Sequence, residues 1–377
     1  MKSNLKRLNI LVLSWRDPKH PLAGGAEQVI FEHMKGWVKA GHAVVHFSSF
    51  FKGGSREELL ESITFIRRGR QFLEVQMAAF LWYLFGKHIK FDLVVDEFHG
   101  WPFFAPLYVR PPKLAVIQEL TREIWLSYPL PFRLNFLFGT IGYLMEPLFF
   151  LPYRNTHFMT GSESTKNELS DVGIKKENIT IVPHGVLLPR SKIKDLRSRI
   201  KTVIFLGVLA KDKGIEDAIK TFGILRTLGD YRFWIVGKSD ENYLKYLKKL
   251  AIKERVGCKF FGFVSQSRKF ELLARAHLLI NPSIREGWGL VNIEANSVGT
   301  PIVSYNSPGL TDSVKDRVSG LIVPDNTPKE MANTIHNLLN DPNLYAKLVK
   351  GALSWSKNFS WQKSRKLSLD LITSYGL

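Results

Sequence analysis

The sequence predicts an α/β protein made of two doubly wound, parallel-sheet domains, and three observations carry that expectation. At 377 residues the chain is longer than one hydrophobic core organises. Short apolar runs of strand length alternate with segments whose apolar residues fall at helical spacing, the pattern of a parallel sheet covered on both faces. The alternation breaks at residues 187–200, "LLPRSKIKDLRSRI", a charged stretch without a strand pattern that reads as a linker, and then begins again.

Taken in order, "LNILVLSW" (8–15) is the first strand. "AEQVIFEHMKGWVKAGH" (26–42) follows as a helix with Gly41 as its stop, and "AVVHFSSF" as the second strand, which completes a βαβ unit. Further strands are expected at "FDLVVDEF" (91–98), "KLAVIQEL" (113–120) and "THFMTGS" (156–162). Beyond the linker come "TVIFLGVL" (202–209), "YRFWIVGK" (231–238), "CKFFGFV" (258–264), "AHLLINPS" (276–283), "TPIVSYN" (300–306) and "SGLIVP" (319–324). The expected domains are residues 1–190 and 191–356. Two sheets of this kind place a ligand cleft at the carboxyl ends of their strands.

Composition narrows the class. Apolar content of 45% and charged content of 23% suit a folded globular chain, with no repeat or low-complexity segment. The single Cys258 excludes an internal disulfide and fits a reducing, cytoplasmic compartment. The basic, then apolar N-terminus ends in Trp-Arg-Asp-Pro and lacks a small-residue cleavage site, so it reads as a strand and not as a secretion signal. The longest apolar windows, "VQMAAFLWYLFG" (75–86) and "LNFLFGTIGYLM" (134–145), fall short of a membrane span. The net charge of +19 is spread, with 23 basic against 17 acidic residues in 1–190 and 30 against 17 in 191–377. No block resembles a nucleic-acid arm, so nucleic acid is not an expected partner; a solvated basic surface or attraction to anionic headgroups remain.

The richest stretch is "SIREGWGLVNIEANSVGTP" (283–301). Glu286 lies in the loop that follows a strand, and Glu294 lies in the helix after it. Gly287 and Gly289 let the backbone approach a ligand, and the amides at the helix start suit an anion. Spacing alone leaves two readings: solvated surface carboxylates, or acids that grip the hydroxyls of a nucleotide-sugar whose phosphate sits at the helix end.

This block resembles the donor-site signature of family 4 of the retaining glycosyltransferases, which have the GT-B fold of two Rossmann-like domains facing across a cleft. The resemblance continues in "LAGGAEQ" (22–28), "TGSESTKNEL" (160–169), "VPHGV" (182–186), "KDKGIEDAIKTF" (211–222) and "FSWQKS" (359–364), and so covers nearly the whole chain. It implies that Glu286 contacts the donor sugar near its reacting end and that Glu294 holds the ribose hydroxyls. The backbone of Gly287, Trp288, Gly289 and Leu290 faces the sugar and diphosphate, and Lys213, before Gly214, binds the diphosphate. Gly24 and Gly25 mark where the first domain approaches donor and acceptor. Phe263 and Val264 frame the nucleobase. The family's last helix, here about 357–377, returns to the first domain, and its aromatics are then interdomain packing. The family works without a metal, and no His/Cys cluster here has metal-ligand spacing, so neither metal nor cofactor is expected.

Two positions depart from the family. Gly207-Val208 stands where Gly-Arg is usual, which removes a diphosphate-gripping charge that the lysine at Lys211 replaces only as a point charge. Gln118 stands where many members carry a histidine near the sugar; it donates a hydrogen bond but cannot take up a proton. His99 in "DEFHGWPF" is the other acid–base candidate, with His184 and Glu119 behind it. The acceptor side is written as the aromatic-rich residues 125–153, read either as helix packing or as a monotopic membrane face that presents a lipid-linked acceptor. The function expected is transfer of a hexose from a nucleoside diphosphate sugar to a hydroxyl of a glycan or lipid-linked acceptor, with retained configuration, by a cytoplasmic protein that is peripheral on the inner membrane face. The alternatives are a sugar-nucleotide-binding protein without turnover, and a basic nucleic-acid-binding protein.

Overall fold

The computed structural model describes residues 6–71, 73–122, 124–127, 135–187 and 197–376. Residues 188–196 of the expected linker and 128–134 of the aromatic-rich stretch lie outside them. The chain divides into two compact units: Met1–Gly185 with Trp361–Leu377, and Val186–Ser360.

The first unit carries an eight-stranded sheet: β1 (Asn9–Leu13), β2 (Ala43–Ser48), β3 (Glu57–Leu60), β4 (Ile63–Arg67), β5 (Leu93–Glu97), β6 (Lys113–Val116), β7 (His157–Thr160) and β8 (Ile179–Ile181). Their order is β3-β4-β2-β1-β5-β6-β7-β8. All neighbours pair in parallel except β3 with β4. Successive residues of β1 enter opposite cores. Ile10 and Val12 pack with Ile30, Met34 and Trp37, while Leu11 and Leu13 pack with Phe47, Val75 and Ala79. A strand buried on both sides has to read as a continuous apolar run, and Ile10 to Leu13, "ILVL", does.

Helix Gly25–Lys39 stops where expected, with Gly41 at φ +101 just past its end. Helix Trp361–Thr373 completes this unit by packing on it. A Cβ on Gly36 would stand 2.9 Å from the Cβ of Arg365, so only a glycine lets the two helices come this close. The Trp37 indole donates to Ser368 Oγ at 3.2 Å, and Arg365 pairs with the buried Glu32.

In the second unit β9 (Lys201–Leu206), β10 (Tyr231–Val236), β11 (Cys258–Gly262), β12 (Leu278–Asn281), β13 (Ile302–Ser304) and β14 (Gly320–Ile322) form one parallel sheet in the order β11-β10-β9-β12-β13-β14. Alternate residues again face opposite cores, Val203 and Phe205 on one side and Ile204 on the other. The two-domain, doubly wound α/β expectation is met in both units. Trp355 and Phe359 pack with Trp288 and Ile293 inside the second unit, and the Trp355 indole donates to the Ser313 carbonyl at 2.8 Å. Among the described residues, no helix is long and apolar enough to cross a membrane.

Candidate functional site

Strand order locates the place where a ligand would sit in each sheet. From β9 the second unit's chain winds outward through β10 and β11, then returns to the other side of β9 as β12. The following connections diverge there, and it is at such a switch point, outside the carboxyl ends of β9 and β12, that sheets of this kind bind ligands. Lys213 and Gly214 follow β9, and the Pro282–Gly289 loop follows β12. Two glycines press these segments together. Gly214, at φ +69, would put a Cβ 2.0 Å from the Pro282 carbonyl oxygen, and Gly309, at φ +77, would put one 1.9 Å from that of Glu286. Ile284 N–H donates to the Asp212 carbonyl at 2.9 Å.

The result is a defined carboxylate. Ser283 Oγ donates to Glu286 Oε1 at 2.8 Å, and Lys213 Nζ lies 3.1 Å from Oε2. Both side chains are partly exposed, so a ligand can reach them. Helix Leu290–Ser297 starts beside them, with Gly289 as its N-cap at φ +80. Its first turn is held by a buried chain in which Asn281 donates to Asn292 at 3.0 Å and Asn292 to Ser313 at 2.9 Å. Glu294, further along this helix, meets Lys269 Nζ at 2.5 Å; the lysine comes from helix Gln266–Arg275. Each of the two glutamates thus has its own lysine partner.

The other expected residues divide by exposure. Phe263 is fully presented and Val264 is half-buried against the second unit's core. The Trp288 indole is buried against Val186, Ile293 and Phe359, which leaves its main chain as the part expected to meet a ligand. Lys211 and Val208 are exposed at the end of β9.

The first unit reverses direction beside its first strand in the same way. From β1 the chain winds through β2 to β4 and β3, then crosses back to pair β5 on β1's other side. Gly24 and Gly25 follow β1, His99 follows β5 and Gln118 follows β6, so all four lie along one sheet edge. Gly24 N–H donates to Glu27 Oε2 at 2.7 Å, and Arg16 Nε lies 3.3 Å from the other oxygen of Glu27. The start of helix Gly25–Lys39 therefore already holds an acid and, through it, an arginine. His99 is half-buried with its ring centroid 6.1 Å from that of Trp15. The Gln118 carbonyl accepts from Thr165 Oγ1 at 2.9 Å, and its side-chain Oε1 is buried without a hydrogen-bond partner. Glu119 beside it is half-buried. His184 is wholly buried against Gly161, and burial lowers its pKa to about 4, so its ring is uncharged at neutral pH.

Sequence reading passed over two acids at this edge. Asp96 accepts from Tyr153 Oη at 2.5 Å and from the Ala105 amide at 3.0 Å, fixing the loop that carries His99; burial raises its pKa to about 6. Glu97 is buried with its Oε2 unpartnered, and burial, then the nearby Glu27 charge, push its pKa up to about 8 against the pull of Ser14 and Arg16. The available signal was two adjacent acids closing an otherwise apolar strand. Among the described residues, no group of three or more His, Cys, Asp or Glu side chains is gathered as a metal requires.

Two family models match in succession: Glycosyltransferase Family 4 over residues 23–188 and Glycosyl transferases group 1 over residues 190–355. The chain belongs to the family 4 type of glycosyltransferases. A D-inositol 3-phosphate glycosyltransferase of Streptomyces bingchenggensis is 38% identical over 96 residues, which is 26% of this chain and only 21% of that relative's length. Among solved structures, sucrose-phosphate synthase of Thermosynechococcus elongatus superposes with a TM-score of 0.80 at 20% identity, covering 98% of each chain. HepE of Anabaena in complex with UDP-glucose gives 0.72 at 18% identity, covering 98% of this chain and 100% of HepE. At such identities the likeness shows the fold, which is GT-B.

Proposed function

We propose that this glycosyltransferase moves a hexose from a nucleoside diphosphate sugar to a hydroxyl of a glycan or lipid-linked acceptor, with retention of configuration and without a metal or cofactor. The observation that carries this reading is the pairing of Lys213 with Glu286 at the switch point of the second sheet. A nucleotide-sugar has polyol and dianion side by side, and a carboxylate beside an ammonium matches both. A fold-mate that holds UDP-glucose supports the same class of donor.

In this reading Glu286 accepts from sugar hydroxyls near the reacting carbon, with Ser283 fixing the carboxylate's rotamer. Glu294 accepts from the ribose hydroxyls, and Lys269 holds it in place. As the glycosidic bond breaks, positive charge gathers on the sugar ring and negative charge on the departing diphosphate. Lys213 and the amides of Gly287 to Leu290 stabilise the negative charge as it forms, and a fixed cation does so without reorganising. Gln118 and His99, at the first unit's sheet edge, orient the acceptor hydroxyl. For a lipid-linked acceptor the partner surface is an anionic membrane, met from the cytoplasmic side.

The test is thermal stabilisation by UDP-, GDP- and ADP-sugars, followed by turnover with the stabilising donor. One donor class should raise the melting temperature in wild type and not in Lys213→Ala. No stabilisation by any of them would end the donor assignment. A second reading, sugar-nucleotide binding without turnover, is favoured by the exposed Val208, an apolar residue at the end of β9. Stabilisation without transfer or donor hydrolysis, across a broad acceptor panel, would select it.

A further inference from the structure

Helix Leu73–Phe85 of the first unit is anchored on one side only. Val75 and Ala79 are buried in the core, while Leu73, Met77, Leu81, Leu84 and Phe85 project from the opposite face. Leu73 is 64% exposed, Met77 59% and Phe85 78%, and Ile89 follows in the same state. Spacings of four, four, three and one place these residues on one stripe. Monomeric proteins rarely leave such a continuous stripe in water.

A second stripe adjoins it. Helix Asn135–Phe149 is held inward by Glu146, whose carboxylate accepts from the Thr121 and Arg122 amides at 2.6 and 2.7 Å. Its outward face carries Ile141, Leu144, Met145 and Leu148. Trp101 joins the two helices: Gln76 donates to its carbonyl at 3.3 Å, and its ring centroid lies 4.6 Å from that of Phe149. Exposed cations stand at both ends of the first stripe, Arg70 before it and Lys87 and Lys90 after it. The one acid in the helix, Glu74, already accepts from the Arg70 amide at 3.0 Å.

We infer that this face rests on an anionic lipid bilayer, with helix Leu73–Phe85 lying in the headgroup–acyl boundary. The helix has 13 residues, too few to span a bilayer, yet its outer face is apolar with cations at both ends. That combination is what an in-plane helix presents to negatively charged headgroups. The inference deepens the lipid-linked reading of the acceptor and rests on it for its purpose, but its readout is independent of donor binding.

The test is flotation with phosphatidylcholine vesicles, with and without about a third phosphatidylglycerol. Wild type should float with the anionic vesicles, and less as salt rises. Met77→Glu/Leu81→Glu/Phe85→Glu should cut that partitioning at least about tenfold, and Lys87→Glu/Lys90→Glu should remove the preference for anionic lipid. All substituted side chains are exposed; unchanged melting temperatures, and unchanged stabilisation by the donor that stabilises wild type, show that the fold and donor site are intact. Should no donor stabilise even wild type, the donor reading fails while flotation still decides this one. Wild type that stays unbound, or a triple variant that floats as well as wild type, overturns the inference. So does a dimer in sedimentation that the triple variant dissociates, since the stripe would then belong to a second copy.

Discussion

The two sheets reverse direction beside their first strands in the same way, but hold their strand-end acids differently. At the second unit's edge the carboxylates are partly exposed and paired: Glu286 with Lys213, Glu294 with Lys269. At the first unit's edge Asp96 and Glu97 are buried, and burial drives their pKa values upward. Paired, reachable charges suit a ligand that carries charge of its own. A buried acid that keeps its proton suits neutral hydroxyls, or simply fixes a loop. The contrast fits the proposed division in which the second unit takes the charged donor and the first an uncharged acceptor.

The widest break of that contrast is Glu286→Gln. The amide keeps the shape and loses the charge that faces the developing cation, so turnover should fall about 10²–10³-fold with little change in donor affinity. Steady-state rates beside a donor titration would check this; a loss confined to affinity would make Glu286 a binding residue only. Next is Lys213→Ala. A charge-assisted contact is worth about 1.5–3 kcal/mol, so nucleoside diphosphate binding should weaken about 10–100-fold, measured by calorimetry. Unchanged affinity would detach the lysine from the diphosphate.

How much of this was legible in the sequence follows the same division. All six strands of the second unit are apolar runs bounded by turn residues, and its site lies in one contiguous block and one short helix start. In the first unit β3 and β4 escaped. They are joined by Glu61 and Ser62, both at positive φ, in a two-residue turn that Asn-Gly or Gly would ordinarily announce. β8 escaped too: its three residues, Ile179–Ile181, have a threonine in the middle and make no unbroken apolar run. Partners far apart in the chain left no trace either: Asp17 and Arg67, both fully buried, meet at 2.5 Å across fifty positions, and Lys269 reaches Glu294 from another helix. The burial of the Trp288 ring against Val186 and Phe359 left no trace in its loop sequence either.

A third prediction probes the buried side. Below the unfolded carboxyl's ordinary pKa, Glu97 is protonated folded or unfolded and contributes nothing to the pH dependence. Between that value and about 8 the unfolded chain releases the proton while the folded chain keeps it, so stability falls as pH rises through this window. Glu97→Gln, which mimics the protonated acid, should therefore match wild type near pH 4 and exceed it at pH 8 by on the order of 2 kcal/mol. Melting temperatures across this range would check it, and a variant equally destabilised at every pH would mean that the carboxyl makes a contact the amide cannot.

The smallest effect expected is at Lys269, which touches Glu294 and not the reacting atoms. Removing the ammonium while keeping the stem, as in Lys269→Met, frees the Glu294 carboxylate to leave the rotamer suited to ribose. A partly buried pair of this kind is worth roughly 1 kcal/mol, so the donor KM should rise a few-fold with kcat unchanged. A positioning role has a second mark: in a Glu294→Ala background the lysine has nothing to hold, and Lys269→Met should then add no further loss. Additive losses would show that Lys269 contacts the donor directly. That outcome would count a second cation in the second unit's donor site, and widen the contrast with the buried acids of the first.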